Sequence, residues 1–124
     1  MHIANPQQTP QGIFAYTLHP ARLAMLTEGA TSEERALAGA HWVYSQRLLT
    51  DGRLIFGGRT LVPTVDSFAI VVLRAPSLEA AQAIAAADPA VQGGVFRATV
   101  YPYQLMLMGA WPAEVATVSA PAAS

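Results

Sequence analysis

The chain of 124 residues contains no cysteine and no lysine; all seven basic residues are arginine. Without cysteine there is no disulfide, no thiolate nucleophile and no cysteine-ligated zinc, and without lysine no Schiff base and no phosphate-binding lysine of a P-loop. Charge is scarce as well: 12% of residues are charged, against about 25% in an average soluble domain. Seven basic and eight acidic residues leave a formal charge of -1, so no basic field for nucleic acid is expected. Long apolar runs are missing too. The longest strongly apolar stretch, Phe68 to Leu73, is six residues, and Met1 to Gln11 has no positive region leading into an apolar run. Neither a signal peptide nor a membrane span is expected, and the expected compartment is the cytoplasm.

What is there is apolar side chain, at 52% of the residues, in a length that suits one domain. Residues 1–11 and 112–124, rich in Pro and Gln or in Ala and Ser, have no apolar periodicity and read as flexible tails around a single domain at 12–111. Within it, Gly12 to Leu18 reads as a first strand that His19-Pro20 ends. Thr31-Ser32-Glu33-Glu34 is a capping box, and Asp51-Gly52 supplies the stop of the helix that follows. Leu37, Ala40, His41, Tyr44 and Leu48 recur every three or four residues along it and share its apolar face.

Arg53 to Phe56 reads as a second strand, broken by Gly57-Gly58. Ser67 to Arg74 is a third, apolar on both sides, and therefore covered on both faces. Ser77 caps a second helix, Leu78 to Ala87, which Asp88-Pro89 interrupts; Gly93-Gly94 turns the chain into a fourth strand, Val95 to Tyr103. The order βαββαβ predicts an α+β, ferredoxin-like fold, an antiparallel sheet with two helices on one face. The bare face of so weakly charged a sheet predicts a homodimer, in which a second copy covers it.

The sequence carries no GxGxxG, P-loop, HExxH, GxSxG or EF-hand pattern. His2, His19 and His41 have no helical ligand spacing, so no metal site is expected. His, Asp, Glu and Tyr are left for acid–base work, with Arg as an anion clamp. Periodicity alone leaves two readings of His41: a core histidine satisfied by carbonyls, or a site residue. Asp88 is likewise either an N-cap before Pro89 or the anionic partner of a cation, and Arg22 either a solvated charge or an anion clamp. Tyr16, Tyr44 and Tyr101 read from type as core or interface aromatics.

Several short motifs stand in a telling order. Tyr16 and Pro20-Ala21-Arg22 follow one another around the first strand. His41 precedes Leu48, Asp51-Gly52-Arg53-Leu54 and Gly57-Gly58. Ser77-Leu78-Glu79-Ala80-Ala81 precedes Asp88-Pro89-Ala90-Val91 and Gly94-Val95-Phe96. From Phe14 to Leu107 the pattern resembles the YciI-like (YCII-related) family of small bacterial proteins. That resemblance implies a dimeric α/β barrel and a catalytic pair at His41 and Asp88, with Arg22 and Tyr16 as substrate-binding residues.

The expected function is a cofactor-independent enzyme. His41 and Asp88 act on a small organic metabolite, aromatic or carboxylate-bearing, by elimination, isomerisation or hydrolysis. Two alternatives stand beside it: a non-catalytic dimeric small-ligand-binding or accessory domain, and a haem-binding or oxygenase-type relative on the same fold, with His41 or His19 as axial ligand.

Overall fold

The computed structural model describes residues 12–110, so both expected tails lie outside the described residues. In chain order the elements are β1 (Gly12–Pro20), α1 (Ala24–Thr27), α2 (Ser32–Thr50), β2 (Leu54–Arg59), β3 (Ala69–Ala75), α3 (Leu78–Ala87), α4 (Pro89–Gln92) and β4 (Phe96–Pro102). The expected βαββαβ order is present, with the one-turn helices α1 and α4 added. Four antiparallel strands form one sheet in the order β2-β3-β1-β4, and α2 and α3 lie on the same side of it. This is the ferredoxin-like α+β fold. None of the described helices is long and apolar enough to cross a membrane.

Local signals set the helix ends. The Thr31 hydroxyl accepts from the Glu34 amide at 3.1 Å and the Glu34 carboxylate from the Thr31 amide at 2.8 Å, which satisfies two otherwise orphaned donors at the start of α2. Gly52, with φ of +79°, takes the left-handed conformation just beyond the C-cap Asp51 and turns the chain away. The Ser77 hydroxyl accepts from the Ala80 amide at 3.0 Å and starts α3 where expected.

Strand alternation sorts the sheet into two faces. Phe14, Tyr16 and Leu18 of β1 join Val71, Leu73 and Ala75 of β3 in the core, closed by Ala81 and Ala85 of α3. Leu18 and Leu73 are 1% and 0% exposed, and burial of such a side chain contributes about 1.5–3 kcal/mol. The small alanines let α3 approach the strands. The register places Phe56, Val72, Ala15 and Tyr101 in one row across the opposite face. In that row Val72 and Ala15 are 0% and 2% exposed, whereas Phe56 and Tyr101 are 36% and 48% exposed.

Strand boundaries differ from expectation: β1 continues past Leu18 through His19 to Pro20, which pair with Arg97 and Phe96, and β3 begins at Ala69 instead of Ser67. β2 does not break at Gly57-Gly58 but runs through both to Arg59; the irregularity falls earlier, where its register with β3 shifts between Leu54 and Phe56. Neither glycine has a positive φ. A Cβ on Gly57 would lie 3.3 Å from the Ile70 carbonyl oxygen, so its bare backbone serves close strand approach rather than a turn.

Candidate active site

The cap of α2 fixes the phase of its apolar stripe, and the stripe brings His41 toward the sheet. The Asp88-Pro89 junction meets it from the other side. Proline disfavours the helical region for the residue before it, so Asp88 leaves α3 with an extended backbone, φ -60° and ψ 124°. Asp88 then caps α4, its Oδ1 accepting from the Ala90 amide at 3.0 Å. Its other oxygen, Oδ2, accepts from the Tyr16 hydroxyl at 3.0 Å and lies 2.6 Å from Nδ1 of His41. The capping and pairing geometries of Asp88 therefore coexist, one on each oxygen.

Asp88 is 0% exposed, so its charge depends on these three partners for what water would otherwise supply. The His41 tautomer follows from the network. With Oδ2 acting as acceptor, Nδ1 carries the shared hydrogen and Nε2 is the ring's free basic nitrogen. The His41 side chain is 19% exposed, whereas the Asp88 side chain beside it is sealed. Phe96 packs edge-on against the imidazole at a centroid distance of 5.8 Å.

Two tyrosines flank the carboxylate. Burial, and then the charge and hydrogen bond of Asp88, push the Tyr16 hydroxyl well above the usual phenol range. Tyr44, one helical turn beyond His41, is raised by burial and by the Asp88 charge, and it donates to the Ile84 carbonyl at 2.7 Å.

Tyr16 and Arg22, expected to hold substrate, are both engaged within the chain. Tyr16 is 1% exposed and faces Asp88. Arg22 grips Glu34 with both arms of its fork, Nε to Oε2 at 2.9 Å and an Nη to Oε1 at 2.6 Å. The hydrogen bond from Arg22, supported by the Thr31 amide, lowers the Glu34 carboxyl to about 2.

A cavity of about 220 Å³ lies beside this pair, lined by Arg22, Glu33, Glu34, Leu37, Gly93 and Val95 among others. Leu37 stands one helical turn before His41 on the same face, but the His41 ring is not in the lining. Among the described residues no three His, Asp or Glu side chains converge as metal ligands.

Type alone did not assign Tyr16 to the Asp88 network. The available signal was its position between Phe14 and Leu18 on the inward face of β1, where a phenol needs a buried acceptor.

An α+β ferredoxin-like domain in which a sealed Asp88 meets a part-buried His41 defines the class. The model of the YCII-related domain matches residues 18–104, and the chain belongs to that family. Among solved structures it is similar to 5-chloro-2-hydroxyhydroquinone dehydrochlorinase (TftG) from Burkholderia phenoliruptrix AC1100, in complex with 2,5-dihydroxybenzoquinone. The TM-score is 0.54 at 17% identity, over 73% of this chain and 93% of that one, a likeness of fold. No curated protein matches the chain.

Proposed function

We propose that the chain is a small-molecule acid–base enzyme of the lyase type, with His41 Nε2 as the proton-transferring atom. The observation that carries this reading is the 2.6 Å contact between His41 Nδ1 and the sealed Asp88 carboxylate. That contact holds one tautomer, orients the ring, and leaves Nε2 unengaged by Asp88. In an elimination, a proton passes from a substrate hydroxyl or carbon to Nε2. The electron pair left behind forms the new double bond, and the leaving group departs with its bonding pair as an anion. The positive charge gained by the ring then lies against Asp88, which lowers the barrier electrostatically. Tyr16 acts on Asp88 and not on substrate, and so is a positioning residue.

The fold shared with a dehydrochlorinase supports a hydroxylated aromatic ring bearing a leaving group as the substrate class. The exposed Phe56 and Tyr101 on the open sheet face support a homodimer.

Halide release from 5-chloro-2-hydroxyhydroquinone and from a panel of halogenated hydroxy-aromatics tests the reading. Wild type is expected to turn over at least one of them, and His41→Asn to lose about 10²–10⁴-fold in kcat/KM. Binding of the panel without turnover, or full activity in His41→Asn, would overturn it and favour a binding domain.

A further inference from the structure

A second cavity, of about 460 Å³, lies on the other side of the sheet from Asp88. Strand alternation puts it there: Leu18 and Ala98 pack into the helix-side core, so their neighbours His19, Arg97 and Thr99 project from the opposite face. His19 stands directly across from Arg97 in the β1–β4 register, and Thr17 across from Thr99. The connection between β2 and β3 brings Thr64 and Val65 to the cavity wall, and Leu23 adds a second apolar side chain. The Phe68 ring stacks on His19 at 6.0 Å with an interplanar angle of 30°.

Of the polar side chains lining this cavity, the Thr64 hydroxyl accepts from the Asp66 amide at 3.2 Å, whereas His19 and Arg97 are uncommitted. Among the described residues Arg97 and His19 make no ion pair and no side-chain hydrogen bond, in contrast to Arg22, whose fork is filled by Glu34. Thr17 Oγ1, on the same face one register pair away, is buried without a partner. A guanidinium fork matches a carboxylate bidentately, and the apolar side chains of Leu23 and Val65 suit a ring. The volume falls within the range of small-ligand sites, about 300–1,000 Å³.

From this we infer that the open-face cavity is a binding site for a small aromatic carboxylate, held by Arg97 with His19 and separate from the His41–Asp88 pair. The carboxylate lies against the guanidinium, and the ring lies between Leu23 and Val65. The same chemistry has a second source, a carboxylate side chain of a second copy docked on this face, and the experiment separates the two.

Isothermal titration calorimetry with benzoate is run on wild type, Arg97→Gln and His41→Asn, beside benzamide, which keeps the ring and loses the charge. Arg97 is exposed, so its replacement leaves the core intact. Expected are saturable binding of benzoate to wild type and at least tenfold weaker binding of benzamide. Arg97→Gln is expected to lose at least tenfold in affinity, and His41→Asn to stay within twofold of wild type. No heat at about 10 mM benzoate, tenfold above a millimolar Kd, or equal binding by Arg97→Gln, overturns the inference. Loss of binding in His41→Asn alone also overturns it, by moving the acid to the other face while leaving the acid–base reading intact. Sedimentation velocity completes the test: Arg97→Gln is expected to keep the wild-type assembly, and its dissociation with benzoate affinity unchanged assigns Arg97 to a second copy's carboxylate.

Discussion

Tyr16 and Asp88 stand 72 residues apart in the chain and share a buried hydrogen bond of 3.0 Å. One lies mid-strand at 1% exposure and the other at a helix junction at 0%. Their contact ties the sheet to the segment that carries the carboxylate beside His41.

Tyr16→Phe tests that tie. Removal of one donor from a buried carboxylate is expected to cost about 1.5–3 kcal/mol near neutral pH. Because the folded hydroxyl is raised well above its ordinary value of 10.0, the stabilisation is present below about pH 10. It is lost as pH rises further, where the unfolded chain releases a proton that the folded one keeps. Urea midpoints from pH 8 to 11 are expected to fall more steeply for wild type than for Tyr16→Phe; parallel curves would show that the phenol is not coupled to folding.

Asp88 separates two costs. Asp88→Ala leaves the Ala90 amide, the Tyr16 hydroxyl and His41 Nδ1 without their acceptor, and is expected to lose about 3–5 kcal/mol. Asp88→Asn keeps an oxygen for the cap and is expected to lose about 1–3 kcal/mol, together with most of the turnover proposed for His41. Chemical denaturation of the two variants provides the comparison. A cost under about 1 kcal/mol for the alanine would contradict the sealed network.

Glu34 governs the acid limb. Its carboxyl, lowered from an ordinary 4.5 to about 2, contributes stability that is present above 4.5 and lost as pH falls towards 2. Arg22 and water share the site, so the effect is small. Melting temperatures between pH 5 and pH 2 are expected to drop less in Glu34→Gln than in wild type, and an unchanged drop would remove the Arg22–Glu34 pair as a cause.

The open face is expected to bury Phe56 and Tyr101 against a second copy, giving a particle of about 26 kDa, twice the chain mass of 13.1 kDa. Phe56→Arg is expected to shift it to the monomer mass in light scattering. A wild-type monomer at micromolar concentration would refute the dimer.

Local chemistry was legible wherever one short stretch decides the outcome. Thr31 with Glu34, Ser77, Asp88-Pro89 and the alternation around Tyr16 each carry their structure in adjacent residues, because caps, proline geometry and strand periodicity act over a turn or less. The fold order and the apolar stripe holding His41 followed from these. Gly57-Gly58 misled because a glycine pair signals both a turn and a close strand approach. Only the Ile70 carbonyl across the ladder distinguishes them.

Every decision that joins distant segments belonged to the tertiary structure. From its own stretch of chain Asp88 was a cap or a partner; packing α2 over the junction made it both, since a carboxylate has two oxygens. Arg22 was a solvated charge or an anion clamp until the turn between α1 and α2 brought Glu34 into its fork. His19 and Arg97, 78 positions apart, had no relation to one another until antiparallel pairing set them side by side on the open face. Sequence alone determined the two long helices, the order of the four strands and the inward faces of α2 and β1, because those depend on neighbours along the chain. Which charge meets which was decided by the crossovers of the fold, because Coulomb and hydrogen-bond contacts act through space over a few ångströms.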